Sequence, residues 1–203
     1  MGAEFWLYLR LGYHHIADLA GTDHLLFIAA LTIGYAPREW RRLAVLVTAF
    51  TVGHSVTLAL ATMRVVSVPT RVVEALIPVT IVVTSLLAVY EQQRLVRNAG
   101  SPLPVHAPGR YVLAATFGLI HGLGFSTYLR AILGREESIA LPLFAFNVGL
   151  EVGQLLILAV VVAAGVLAGR WLGLARRDWV HVVAGATGGV ALVLLVERLA
   201  QPG

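Results

Sequence analysis

The chain has no cysteine and no lysine among its 203 residues, and only 13% of them are charged. Without thiols there are no disulfides and no thiolate metal sites; without lysine there is neither P-loop nor Schiff-base chemistry. Soluble domains carry about a quarter charged residues. Here 58% of the residues are hydrophobic and the mean hydropathy is +0.82, which excludes an ordinary soluble domain and places the chain in a bilayer. The 15 basic residues, all arginine, lie in short clusters between apolar runs and not on one basic face with interleaved aromatics, so nucleic acid is not an expected partner.

A helix needs about 20 apolar residues to cross. Runs bounded by Arg, Pro and Gly predict crossings at about 14–36, 43–63, 72–90, 111–132, 141–168 and 179–197. The expected fold is all-α, a polytopic integral membrane protein of six or seven transmembrane helices in one bundle, residues 1–203 forming a single domain. Phe5 to Leu9 is too short to cross, and its aromatics suit the headgroup level. No cleavable signal pattern is traceable at the start. Arg38, Arg41, Arg42, Arg94, Arg97, Arg110, Arg170, Arg176 and Arg177 fall in the loops after the odd-numbered crossings, against six arginines on the other side. The positive-inside rule then predicts extracytoplasmic termini in a cell (inner) membrane. Pro102, Pro104 and Pro108 in the loop 98–109 suggest three helices on each side of it, without a sequence repeat between the halves.

Ionisable groups inside a crossing cost about 2.5–3.5 kcal/mol each on insertion scales, and so point to function. The first crossing carries His14, His15, Asp18, Asp23 and His24, the second Thr51, His54 and Ser55, the third opens on Glu74, the fourth holds His121 and the fifth Asn147, Glu151 and Gln154. Thr51, His54 and Ser55 stand at i, i+3 and i+4, and Asn147, Glu151 and Gln154 at i, i+4 and i+7, so each set makes one polar stripe that must face the bundle interior. Counting 1.5 Å per residue from the ends of each run brings Asp23, His24, His54, His121, Asn147 and Glu151 to one level, with Glu74 at the mouth or serving as a helix cap. Three imidazoles and two carboxylates gathered in low dielectric are satisfied together by a divalent cation. The expected ligands are therefore Asp23, His24, His54, His121 and Glu151, with His15, Ser55, Glu74, Asn147 and Gln154 along the pathway or supporting the ligands. With His and carboxylate donors and no Cys, the ion is Ni²⁺, Co²⁺ or Zn²⁺ and not Cu⁺. His14, His15 and His181 lie near the ends of crossings and read as interfacial or hydrogen-bonding residues, and His106 as solvated. His54 and Ser55 diverge by about 100° on a helix, which excludes a nucleophile pair. Gly118 and Gly122 around His121, and Gly149 and Gly153 around Glu151, suit close helix approach.

Four blocks carry a resemblance: Gly21-Thr22-Asp23-His24-Leu25-Leu26-Phe27, Phe50-Thr51-Val52-Gly53-His54-Ser55-Val56-Thr57-Leu58, Phe117-Gly118-Leu119-Ile120-His121-Gly122-Leu123-Gly124-Phe125, and Phe146-Asn147-Val148-Gly149-Leu150-Glu151-Val152-Gly153-Gln154. In this order they resemble the HupE/UreJ family of membrane proteins. The resemblance implies a six- or seven-helix nickel or cobalt permease linked to hydrogenase and urease metallation. Asp23 and His24 match the family's Asp-His pair, His54 and His121 its histidines in helices two and four, and Glu151 its late glutamate. His15 lies farther from Asp23 than the family's upstream histidine does, and Gly-Leu-Gly-Phe follows His121 where hydrogenase-linked members have a second His and a Glu. The chain thus resembles a second, broad branch of the family.

Two functions fit. One is a permease for a divalent metal ion that is dehydrated by His24, His54, His121 and Glu151, with the lipid bilayer as its setting and a homo-oligomer or a metallochaperone as partner. The other is an intramembrane hydrolase in which His-bound Zn²⁺ activates water and Glu151 or Asp23 acts as base. Few polar groups, Thr48 and Thr116 chiefly, continue past the cluster toward the arginine-rich side, which favours the hydrolase.

Overall fold

A computed structural model of the chain describes residues 2–18, 21–97, 109–133 and 139–200. Most of the proline-rich loop, with His106, and Arg135 lie outside the described residues. The elements are α1 (Gly2–Ala17), α2 (Asp23–Thr32), a 3₁₀ turn (Pro37–Glu39), α3 (Trp40–Thr62), α4 (Thr70–Arg97), α5 (Gly109–Leu133), α6 (Ala140–Trp171) and α7 (Arg176–Ala200). This is the expected all-α membrane bundle. Five of the helices, α3 with its leading turn through α7, are long and apolar enough to cross a membrane.

The first crossing is built differently from the continuous run 14–36 read in the sequence. Gly12 lies against the carbonyl of Phe146, Gly149 against that of Leu9, and Gly153 against Ile16, so α1 runs parallel to α6 and ends about halfway along it. Beyond the break, α2 leads on: His24 meets His121 while Leu31 reaches Arg110, eleven residues earlier on α5. At 16 and 10 residues neither helix spans alone, since they measure about 24 and 15 Å at 1.5 Å per residue, but in series they make one crossing with an interruption at mid-depth. Hydropathy counting missed this because Asp18, Gly21 and Thr22 interrupt an apolar stretch that begins at residue 5, not 14. Phe5 and Leu9, expected at the headgroups, pack on the core beside buried Tyr8.

Lipid is as apolar as leucine, so helices associate through close packing and not through exclusion from water. Gly53 faces the backbone of Ala115, Gly118 that of Phe50 and Gly122 that of His54; a Cβ at any of the three would overlap a carbonyl oxygen. This brings α3 and α5 together in parallel, and the Thr57 hydroxyl donates across the seam to the Leu119 carbonyl at 2.7 Å. α4 and α7 run antiparallel, joined by Ser85 and Thr187 at 2.9 Å and by Glu74 and Arg198 at 3.7 Å. Each main pair, α1 with α6, α3 with α5 and α4 with α7, joins one helix from either side of the proline-rich loop, so the two halves interleave.

The arginine-rich ends are tied by a buried guanidinium. Arg110 Nε and Nη2 hold both oxygens of Glu91 at 3.0 and 2.8 Å, and Nη1 donates to the Leu31 carbonyl at 2.9 Å, which caps the C-terminal end of α2. Arg176 donates to the nearby Gly34 carbonyl. α2 is thereby fixed at one end by α5 and α7.

Gly118→Leu would force α3 and α5 apart; overpacking of this kind costs about 1–3 kcal/mol, and the expected result is loss of the monodisperse detergent-solubilised peak. Gly189, with nothing within 4 Å of its Cβ position, should accept leucine with an unchanged thermal melt. Glu91→Gln leaves Arg110 without its charge partner and should lower stability by about 1–3 kcal/mol, read as a fall in melting temperature that Asp178→Asn, on the exposed start of α7, does not reproduce.

Candidate metal centre

Four helices each deliver one imidazole to the break. His15 comes from the last turn of α1, His24 from the first turn of α2, His54 from α3 and His121 from α5. The ring centres lie 4.7 Å apart for His15 and His24, 5.8 Å for His15 and His54, 5.8 Å for His24 and His54, and 5.0 Å for His24 and His121. His24, His54 and His121 are 7%, 0% and 1% exposed. His15, read in the sequence as interfacial or a pathway residue, stands with this group, because α1 ends just after it and α2 begins, at Asp23, with His24 beside its ring.

These rings lack the partners that buried polar atoms normally have. His15 Nε2, His24 Nε2, both nitrogens of His54 and Nδ1 of His121 are buried with no hydrogen bond. His121 Nε2 stands 2.9 Å from the Thr80 hydroxyl. That hydroxyl donates its one hydrogen to the Ile77 carbonyl at 2.6 Å, so it accepts from His121, and Nε2 carries the proton. The lone pair of His121 is then on Nδ1, among the unpartnered nitrogens. Thr80 was not singled out in the sequence, where a threonine in an apolar helix has no distinguishing mark.

Aromatic rings close the layer on both sides. Phe27 and Phe50, one turn toward the arginine-rich face, pack 4.7 Å apart, and their centres lie 5.0 and 5.2 Å from His121. Toward the face of the termini, Phe125 lies 3.8 Å from His15 and stacks on Phe146 at 5.2 Å.

The other expected site residues stand around this layer. Glu151 accepts from Thr48 at 2.6 Å, six residues before His54 on α3. Gln154, fully buried, accepts from Thr51 at 2.7 Å and leaves its Nε2 unpartnered. Asn147 donates to the Leu143 carbonyl at 2.9 Å with its Oδ1 unpartnered. Ser55 donates to its own helix at Thr51 and has no bond toward the rings. Asp23 opens α2 next to His24, within the electrostatic reach of Arg198 and Glu74. Among the described residues no hydrogen bond or ion pair joins Asp23 or Glu151 to an imidazole. The five expected ligands are thus divided: the histidines form one layer, joined by His15, and neither carboxylate bonds to an imidazole among the described residues. His14 beside Tyr13 is exposed, and His181, on the Arg177 carbonyl, is half-buried.

The donor set can be tested against a metal ion. With a metal–nitrogen bond of about 2.1 Å each ring centre stands about 3.2 Å from the ion, and two tetrahedral ligands have centres about 5.2 Å apart. The observed 4.7–5.8 Å brackets that spacing. The aim of the rings differs: among the described residues no three His, Asp or Glu side chains already converge on one metal position.

A search of curated proteins and a search of solved structures each return no match. The family model described as HupE / UreJ protein matches residues 1–198, essentially the whole chain. The broken first crossing and its histidine layer therefore belong to a membrane protein of the HupE / UreJ family.

Proposed function

We propose that the protein is a permease for a divalent transition-metal ion, Ni²⁺ or Co²⁺ with Zn²⁺ as a related substrate, and that the ion is held in transit by His15, His24, His54 and His121. The observation that carries this reading is the set of five unpartnered imidazole nitrogens in one sealed layer. Leaving a buried polar group unsatisfied costs about 1–3 kcal/mol, and a cation that replaces its hydration shell with these nitrogens satisfies several at once. Neutral imidazoles hold the ion less tightly than thiolates would, which suits a site that must also release it. Membership of a family generally associated with nickel and cobalt transport supports the same reading.

The surroundings of the layer support passage more than hydrolysis. A hydrolytic site needs a carboxylate at the metal, whereas Glu151 is taken by Thr48 and Asp23 lies toward Glu74 and Arg198. On the terminal side Asp23 and Glu74, the latter paired with Arg198 at 3.7 Å, put carboxylates at the entry. On the other side Thr51 with Gln154 and Thr48 with Glu151 make polar steps that the linear sequence did not show. Phe125 with Phe146, and Phe27 with Phe50, are the apolar closures an ion would pass. On the positive-inside reading, entry is extracytoplasmic.

His54→Ala should bring uptake of radioactive nickel or cobalt to the level of cells lacking the protein, at normal membrane abundance; uptake equal to the parent would refute the proposal. Thr80→Val should weaken metal binding about 10–100-fold, the range for losing the partner of a metal-bound histidine. Thr80→Ser, which keeps the hydroxyl, should restore most of it. Cobalt titration of the purified protein by visible absorption reads both, and equal affinity in Thr80→Val would show that the hydroxyl does not set the ring.

A further inference from the structure

α6 packs along α1 and α7 along α4, and where these two consecutive helices join at the arginine-rich face a crevice lies between them and the end of α2. Its volume is about 270 Å³. Ile33 from the end of α2, and Val161, Val162 and Val166 from α6, make apolar walls. Gly165 and Gly169, four residues apart, leave the α6 wall without side chains, and a Cβ on Gly165 would stand 2.8 Å from Nε1 of Trp179, so the indole N–H edge forms the floor. At the mouth are Arg170 and Arg176, both exposed, the second with one nitrogen donating to the Gly34 carbonyl and Glu39 within its electrostatic reach.

No part of this crevice touches the histidine layer, and none of the proposed transport chemistry uses it. Apolar walls between membrane-spanning helices match an acyl chain, and two guanidinium groups at the arginine-rich ends of those helices match a phosphate. An indole at the same level suits the interface between them. A free phosphate would leave the apolar part empty, and a neutral lipid would bring no net negative charge to Arg170 and Arg176, the second of which already lies near Glu39.

We propose that the α6–α7 crevice is a binding site for one anionic phospholipid, with a chain against Gly165, Gly169 and Val162 and its phosphodiester on Arg170 and Arg176. The lipid fills the wedge between α6, α7 and the end of α2, and so bridges the helix carrying Gln154 and Glu151 to the one paired with α4.

Trp179 can report on this directly once Trp6, Trp40 and Trp171, all more than half exposed, are replaced by phenylalanine. The full-length protein is placed in nanodiscs of phosphatidylcholine, and phosphatidylglycerol or phosphatidylcholine with brominated chains is added at equal fractions. Brominated phosphatidylglycerol should quench Trp179 at lower lipid fraction than brominated phosphatidylcholine, by about fivefold for each arginine engaged. Arg170→Gln, which leaves the Arg176 bond to Gly34 intact, should remove about fivefold of that preference. Gly169→Leu, whose added side chain finds only the Leu174 carbonyl at 3.8 Å, should fill the crevice and abolish quenching by both lipids without unfolding the bundle. Equal quenching by the two lipids in the parent, a preference unchanged in Arg170→Gln, or loss of the preference on adding inorganic phosphate would each overturn the assignment.

Discussion

In a bilayer nothing but packing and polar contact holds one helix to another, and in this protein packing means backbone against backbone. Gly53, Gly118 and Gly122 bring α3 and α5 to carbonyl contact, and Gly12 and Gly149 do the same for α1 and α6. The rest follows from these two seams. His54 and His121 lie in one and His15 at the end of the other, so the glycines that allow the approach also set the distance between the rings. A wider seam would leave room for water among the imidazoles and remove the reason for a metal ion to shed its own.

The second constraint is the interruption between α1 and α2. Irregular backbone at membrane depth is tolerated only where it is buried in protein or lines a polar cavity. Here it separates His15 from His24 in sequence yet places their rings 4.7 Å apart, which a straight helix could not do for residues nine apart. α2 is held at its far end by Arg110 and Arg176 and meets the layer at its near end, so the break is a joint between a helix anchored on α6 and one anchored on α5 and α7.

Much of the site was legible without coordinates. His24, His54 and His121 in apolar runs had to face inward, and counting the helical rise from the ends of each run placed them at one depth. What could not be read was which atom each ring offers. The proton on His121 depends on Thr80, whose hydroxyl is committed by its own helix; no spacing within one helix reveals a partner on another. Glu151 illustrates the same limit, since its stripe with Asn147 and Gln154 faces inward, but α3 meets it with Thr48 and not with a histidine.

Composition and periodicity by themselves determined that the chain is a membrane-embedded helical bundle, that its arginines lie at the ends and that its intramembrane histidines face one another, because burial of polar groups in hydrocarbon costs enough to decide each of these. Only the tertiary structure decided that the first crossing is two helices, that His15 belongs with the other three rings, and that Glu151 bonds to Thr48. Those outcomes depend on angles and distances between helices, set by glycine contacts and by the anchoring of α2 from outside its own segment, and a one-dimensional pattern carries neither.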